Sequence, residues 1–185
     1  TFSFYGINIV VNESNYYDGD SLLMKKQIIF FILLISVVFS QSWNTTLIGQ
    51  LDYPQFVNDI WGYKADNGKE YALVGTSLGV SIVDVTTNPF QPEQVGFIPG
   101  DESNWRDVKF YNNHMYISTE ADMGIQVADI TDPENPVLVF EWDGVIRAHN
   151  LFQADGYLYV VGADEGDDIE ILDLSNPAEP VRVGG

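Results

Sequence analysis

Asp59, Asp107 and His149 are the residues of this sequence whose types and spacing best suit joint chemistry. Each falls near the start of a strand-like run, and the runs recur along the chain, so the three align when the runs are superimposed. Two carboxylates and an imidazole meeting at one point could bind a hard cation such as Ca²⁺ or polarise a water for metal-assisted hydrolysis. A plainer reading has them satisfy backbone amides at strand starts, with Arg106 and Arg147 pairing the carboxylates. The residues alone leave both readings open.

A second cluster, Asp164-Glu165-Gly166-Asp167-Asp168, places Asp164, Glu165, Asp167 and Asp168 between two strand-like runs. Calcium takes six to eight oxygens, so the stretch is a candidate calcium loop. It lacks EF-hand spacing, and a solvated acidic hairpin is the default. Crowding predicts that some of these carboxyls titrate above their ordinary value. Gly75-Thr76-Ser77-Leu78-Gly79 fits G-x-S-x-G, but a nucleophile elbow needs a helix after the serine. Val80–Val85 follows and reads as a strand, so a hairpin turn is expected there. His114 follows Asn112-Asn113 and reads as a turn histidine.

Composition narrows the chemistry further. Acidic residues number 27 against 8 basic, a formal net charge of −19. Nucleic-acid binding needs clustered Lys and Arg, so that class is excluded. Cysteine is absent and only two histidines occur, which removes disulfides, thiolate catalysis and Cys–zinc sites. Hydrophobic residues at 45% and aromatics at 14% are ample for a packed core.

The elements that must position these residues repeat. Asp84, Asp129 and Asp173 each close a similar apolar run, and a Pro-x-x-Pro follows each one. Pro89, Pro133 and Pro177 recur every 44 residues, as do Pro92, Pro136 and Pro180. Asp accepts backbone bonds in turns and Pro fixes φ where a strand ends, so all six first-named residues read as turn formers. Each unit divides into four strand-like runs, from Phe56–Tyr63 through Val181–Val183, and no helical period appears after residue 40. Four strands per 44 residues is the content of one propeller blade. The fold expected is all-β, a propeller-like array with blades at about 51–103, 104–145 and 146–185. Closed propellers use about four to eight blades. Three therefore imply further blades beyond Gly185, an open apolar flank at Val181–Val183, and a chain prone to associate.

Upstream, Met24-Lys25-Lys26 precedes Ile28–Phe39, in which only Ser36 is not apolar. A basic start, a short apolar core and a small-residue exit describe a secretory signal peptide over 24–40, cleaved near Ser40. A membrane-spanning helix would need about 20 apolar residues. Met24 then reads as the initiator and residues 1–23 as upstream read-through. Only Glu13, Asp18 and Asp20 among the acidic residues precede the exit, so the acidity belongs to the exported part.

The stretches Gly79-Val-Ser-Ile-Val-Asp-Val, Gly124-Ile-Gln-Val-Ala-Asp-Ile-Thr-Asp-Pro and Ile169-Glu-Ile-Leu-Asp-Leu-Ser-Asn-Pro resemble LVIVD repeats. The longer order, with Asn58-Asp-Ile-Trp-Gly-Tyr, Trp105-Arg-Asp-Val-Lys and Ala148-His-Asn-Leu, resembles the choice-of-anchor B family. That resemblance implies a secreted or surface-displayed propeller-like protein attached through a C-terminal signal. It implies an extracellular binding or scaffold module rather than an enzyme, with a protein or glycan partner and no established cofactor. The rival is a propeller-borne, metal-assisted hydrolase using Asp59, Asp107 and His149.

Overall fold

A computed structural model describes residues 2–4, 7–9, 46–164 and 168–185. Contacts divide the chain into two units, Thr1–Thr46 and Leu47–Gly185. In the first unit, β1 (Phe2–Phe4) and β2 (Ile7–Ile9) pair antiparallel. The proposed signal peptide at 24–40 lies outside the described residues.

The second unit is all-β among the described residues and consists of three four-stranded antiparallel sheets. Blade I comprises β3 (Val57–Lys64), β4 (Glu70–Thr76), β5 (Gly79–Asp84) and β6 (Glu93–Pro99). Blade II comprises β7 (Arg106–Tyr111), β8 (His114–Thr119), β9 (Ile125–Asp129) and β10 (Val137–Trp142). Blade III comprises β11 (Ala148–Ala154), β12 (Tyr157–Ala163), β13 (Ile169–Asp173) and β14 (Val181–Gly184). Strands pair in chain order within each blade, and β3 neighbours β7, which neighbours β11. The architecture is the propeller-like one expected from the repeat.

Local chemistry explains why each blade folds alike. The carboxylates of Asp84, Asp129 and Asp173 accept the amides of Thr86 (2.8 Å), Thr131 (2.8 Å) and Ser175 (2.6 Å), closing an Asx turn as the third strand ends. The next carbonyls, Asn88, Asp132 and Asn176, accept the amides of Gln91, Asn135 and Glu179, with Pro89, Pro133 and Pro177 at the second turn position. A bulge then shifts the register of the outer strand in every blade. Tight hairpins join β7 to β8 through Asn112 (φ 50°) and Asn113 (φ 62°), and β11 to β12 through Asp155 (φ 51°) and Gly156 (φ 79°). Positive φ at both central positions gives the turn whose twist suits a two-residue hairpin. Gly75–Gly79 is likewise a strand–turn–strand connection between β4 and β5.

Two apolar clusters lie in the two seams between sheets. Tyr63, Leu73, Val80 and Ile82 meet Val108, Met115 and Ile117 in the first. Tyr116, Ile125, Val127 and Trp142 meet Leu151, Leu158, Val160 and Leu172 in the second. The central strands of blade II, β8 and β9, are therefore covered on both faces, and so is β5. Sheets that bury apolar area only against their neighbours gain stability seam by seam.

Candidate functional site

The first strands carry the two carboxylates into the seams. Asp59 Oδ2 accepts the amide of Val108 at 3.0 Å, 49 residues away on the next blade. Asp107 Oδ2 accepts the amide of Leu151 at 2.6 Å, 44 residues away on the blade after that. Each aspartate thus fastens its own sheet to the first strand of the next one. Antiparallel pairing leaves alternate amides of an inner strand pointing away from its partner, and these are the amides the aspartates reach. Asp107 Oδ1 also accepts the Val108 amide at 2.8 Å.

Asp107 is buried, and Lys109 Nζ pairs with its Oδ1 while also donating to Val108 O at 3.0 Å. The same ammonium lies 4.8 Å from the centre of the Trp61 ring. Burial and the adjacent Asp59 push the Asp107 carboxyl above the usual range, opposed by Lys109 and the Leu151 amide. Lys109 thus takes the role that the sequence assigned to Arg106 and Arg147. Arg106 is buried and instead donates to carbonyls, Thr76 O at 3.1 Å and Asp101 O at 2.7 Å. Arg147 pairs with Asp122 (3.1 Å) and Asp164 (3.3 Å). The lysine was findable, because residues two apart on a strand share a face.

The third residue of the set takes a different position. Asp59 pairs across its ladder with Gly75 and Asp107 with Ser118; the corresponding pair in blade III is Asn150 with Val161. Asn150, not His149, is the equivalent of the two aspartates. His149 belongs to an exposed cluster at the end of the second seam. Its Nδ1 lies 2.8 Å from Glu120 Oε1, its ring stacks on Trp105 with centroids 4.2 Å apart, and its carbonyl accepts Trp105 Nε1 at 2.8 Å. No group of three His, Asp or Glu side chains among the described residues is placed to hold a metal ion. His114 Nδ1 sits 2.9 Å from the Asn112 carbonyl of its own turn.

In the acidic stretch, Asp164 Oδ1 accepts the Arg147 amide at 2.9 Å. That bond holds the Asp164 carboxyl below the usual range, opposite to the rise that crowding predicts. Glu165 and Asp167 lie outside the described residues. Asp84, Asp129 and Asp173 act within their turns, and Lys69 Nζ reaches Asp84 Oδ2 at 3.0 Å.

Strand order, seam chemistry and turn repeat point to one repeat type. Residues 104–144 and 148–185 match the LVIVD repeat. No curated protein matches the chain. The two matched LVIVD stretches coincide with blades II and III, and blade I repeats their strand order, Asx turn and outer-strand bulge. In this repeat the terminal Asp of the third strand caps its turn. In blades I and II the Asp of the first strand bonds outward, to the following blade.

Proposed function

We propose that this chain is an exported, non-catalytic module of LVIVD blades, of the choice-of-anchor B kind, that holds an extracellular protein or glycan. The observation carrying the reading is the use made of its polar groups. Asp59 and Asp107 lie side by side but are taken up by seam amides and Lys109, whereas Trp105, His149 and Glu120 stand exposed at a seam end. An exposed aromatic beside a carboxylate and an imidazole suits contact with a sugar face or a polar peptide. A metal-assisted hydrolase would need the first-strand carboxylates free for the cation.

Thermal unfolding of the full chain tests this against the metal reading. Added NaCl should raise the melting temperature by screening a net charge of −19. Millimolar CaCl₂ at matched ionic strength should raise it no further. A larger rise in calcium would transfer the argument to a metal site, since a ligand binding only the folded state adds stability by mass action.

Export supports the same reading, through the basic start at Met24-Lys25-Lys26 and the apolar run to Phe39. Among the described residues no helix is long and apolar enough to cross a membrane. Secreted protein from a bacterial host should begin near Gln41 on N-terminal sequencing. A mature start upstream of Met24 would overturn both the export signal and the assignment of residues 1–23.

A further inference from the structure

The outward face of blade III combines contacts that the preceding blades use to hold their successors: the acceptor occurs in both seams, the tyrosine contact in the second and the glycine seat in the first. Three positions define that chemistry. The first is the inner-strand acceptor, Asp59 to the Val108 amide and Asp107 to the Leu151 amide. The second is the central strand facing the next Pro-x-x-Pro turn, where Tyr116 Oη donates to Pro177 O at 2.8 Å. The third is a glycine seat on the outer strand. A Cβ on Gly96 would lie 2.2 Å from Pro133 O, so that turn rests directly on glycine.

Ladder register finds all three again in blade III. Asn150 pairs with Val161 as Asp107 pairs with Ser118, Tyr159 pairs with Ile171 as Tyr116 pairs with Val127, and Gly184 pairs with Ile171 as Gly96 pairs with Ile82. Here none of them meets another blade among the described residues, and the Tyr159 ring lies only against Phe152 of its own sheet, with centroids 6.1 Å apart. The Asn150 side chain forms no hydrogen bond among the described residues, and a Cβ on Gly184 would meet only the tip of Ile171. Around them Phe152 is 61% exposed, Ile169 45% and Val161 38%. The blade II residues at the first two of those positions or their counterparts, Lys109 and Ile125, are buried.

We infer that this face is the seat of a further four-stranded blade of the same repeat, whose first-strand amide is received by Asn150 and whose proline turn rests on Gly184 and Tyr159. The inference deepens the proposed blade array and does not depend on what the module binds. Continuity with the two seams already formed carries it, since the acceptor of both seams, the tyrosine of the second and the glycine of the first recur in register within an apolar rim. An asparagine serves as well as an aspartate here, because its side-chain carbonyl accepts the same amide.

Blade I of a second copy does not fit the seat. Gly49 already occupies the corresponding place over blade I, with its Cβ position 2.2 Å from Pro89 O, as Gly96 lies over Pro133. Tyr53 Oη donates to Ser81 Oγ at 2.9 Å and holds the same segment there. Docking blade III against blade I would bring Gly184 onto a turn that Gly49 covers.

The test appends a second copy of residues 98–144 after Gly185 of the full chain, continuing the register of Gly96-Phe97. The added blade should slow amide hydrogen exchange in β11–β14 at least about ten-fold and raise the melting temperature above that of the unextended chain. Asn150→Ala should remove most of that gain, and Asn150→Asp should restore it. In the unextended chain Asn150→Ala should change neither quantity, which separates a seam role from damage within blade III. Unchanged exchange on extension, or a gain indifferent to Asn150→Ala, would overturn the inference. So would a dimer of the unextended chain that Asn150→Ala dissociates, which would make a second copy the occupant.

Discussion

Replacing Asp107 by alanine is expected to cost about 3–5 kcal/mol of unfolding free energy. The carboxylate is buried between blades II and III, where it holds the Leu151 amide at 2.6 Å and the Lys109 ammonium. Removal leaves a buried amide without its acceptor and a largely buried cation without its counter-charge. Each loss is expensive because water cannot replace the partner. Asp107→Asn keeps the acceptor for Leu151 and loses only the charge, so it should be clearly milder. Urea unfolding followed by circular dichroism measures both. An Asp107→Ala protein within about 1 kcal/mol of the parent would show that the aspartate joins the blades in geometry only. Equal losses in the two variants would assign the effect to Lys109 alone.

Acid should unfold the protein, with Asp84 contributing most. Burial by itself would raise this carboxyl, but the Thr87 hydroxyl and amide, Lys69 and the Thr86 amide outweigh it and hold the group far below its ordinary value of 3.8. Asp129 and Asp173 are shifted the same way by their own Thr131 and Ser175. A carboxyl whose folded value lies below its unfolded one stabilises the fold above the unfolded value. That stability is lost as pH falls through the folded value. The urea midpoint should therefore hold steady between about pH 7 and 5 and fall below about pH 4. Asp107, shifted upward, works in the opposite direction and over a higher window, between its ordinary value and its raised folded one. Asp84→Ala should cost about 3 kcal/mol at neutral pH from its lost charge-assisted hydrogen bonds. Asp84→Asn should flatten the acid decline. An acid decline as steep in Asp84→Asn as in the parent would locate the titrating groups elsewhere.

Strand positions were legible in the sequence because the punctuation is strict. The Asp turn and the Pro-x-x-Pro fix each third strand, and Asn112-Asn113 and Asp155-Gly156 fix two hairpins, so the strand runs fall within a few residues of those observed. The face of each inner strand was harder to read. The loop 143–147 is shorter than 100–105, and a one-residue slip on a strand moves a side chain to the other face. That slip separates His149, in its exposed stack with Trp105, from Asn150 at the seam. That Asp59 and Asp107 accept backbone amides was legible, but which blade supplies each amide was not, because backbone amides carry no residue-type signature.

The aspartate-to-amide bond has a consequence for how such a chain could have grown. Every blade brings an acceptor on one face and a backbone donor on the other, so the joint is made of parts that all copies share. A gene segment duplicated in tandem would arrive already equipped to dock on its parent, without a matching change anywhere else. Only the first and last copies would face selection for something new, since only they have an unmatched side. Drift from aspartate to asparagine at such a position preserves the joint while removing one negative charge from a chain that carries many.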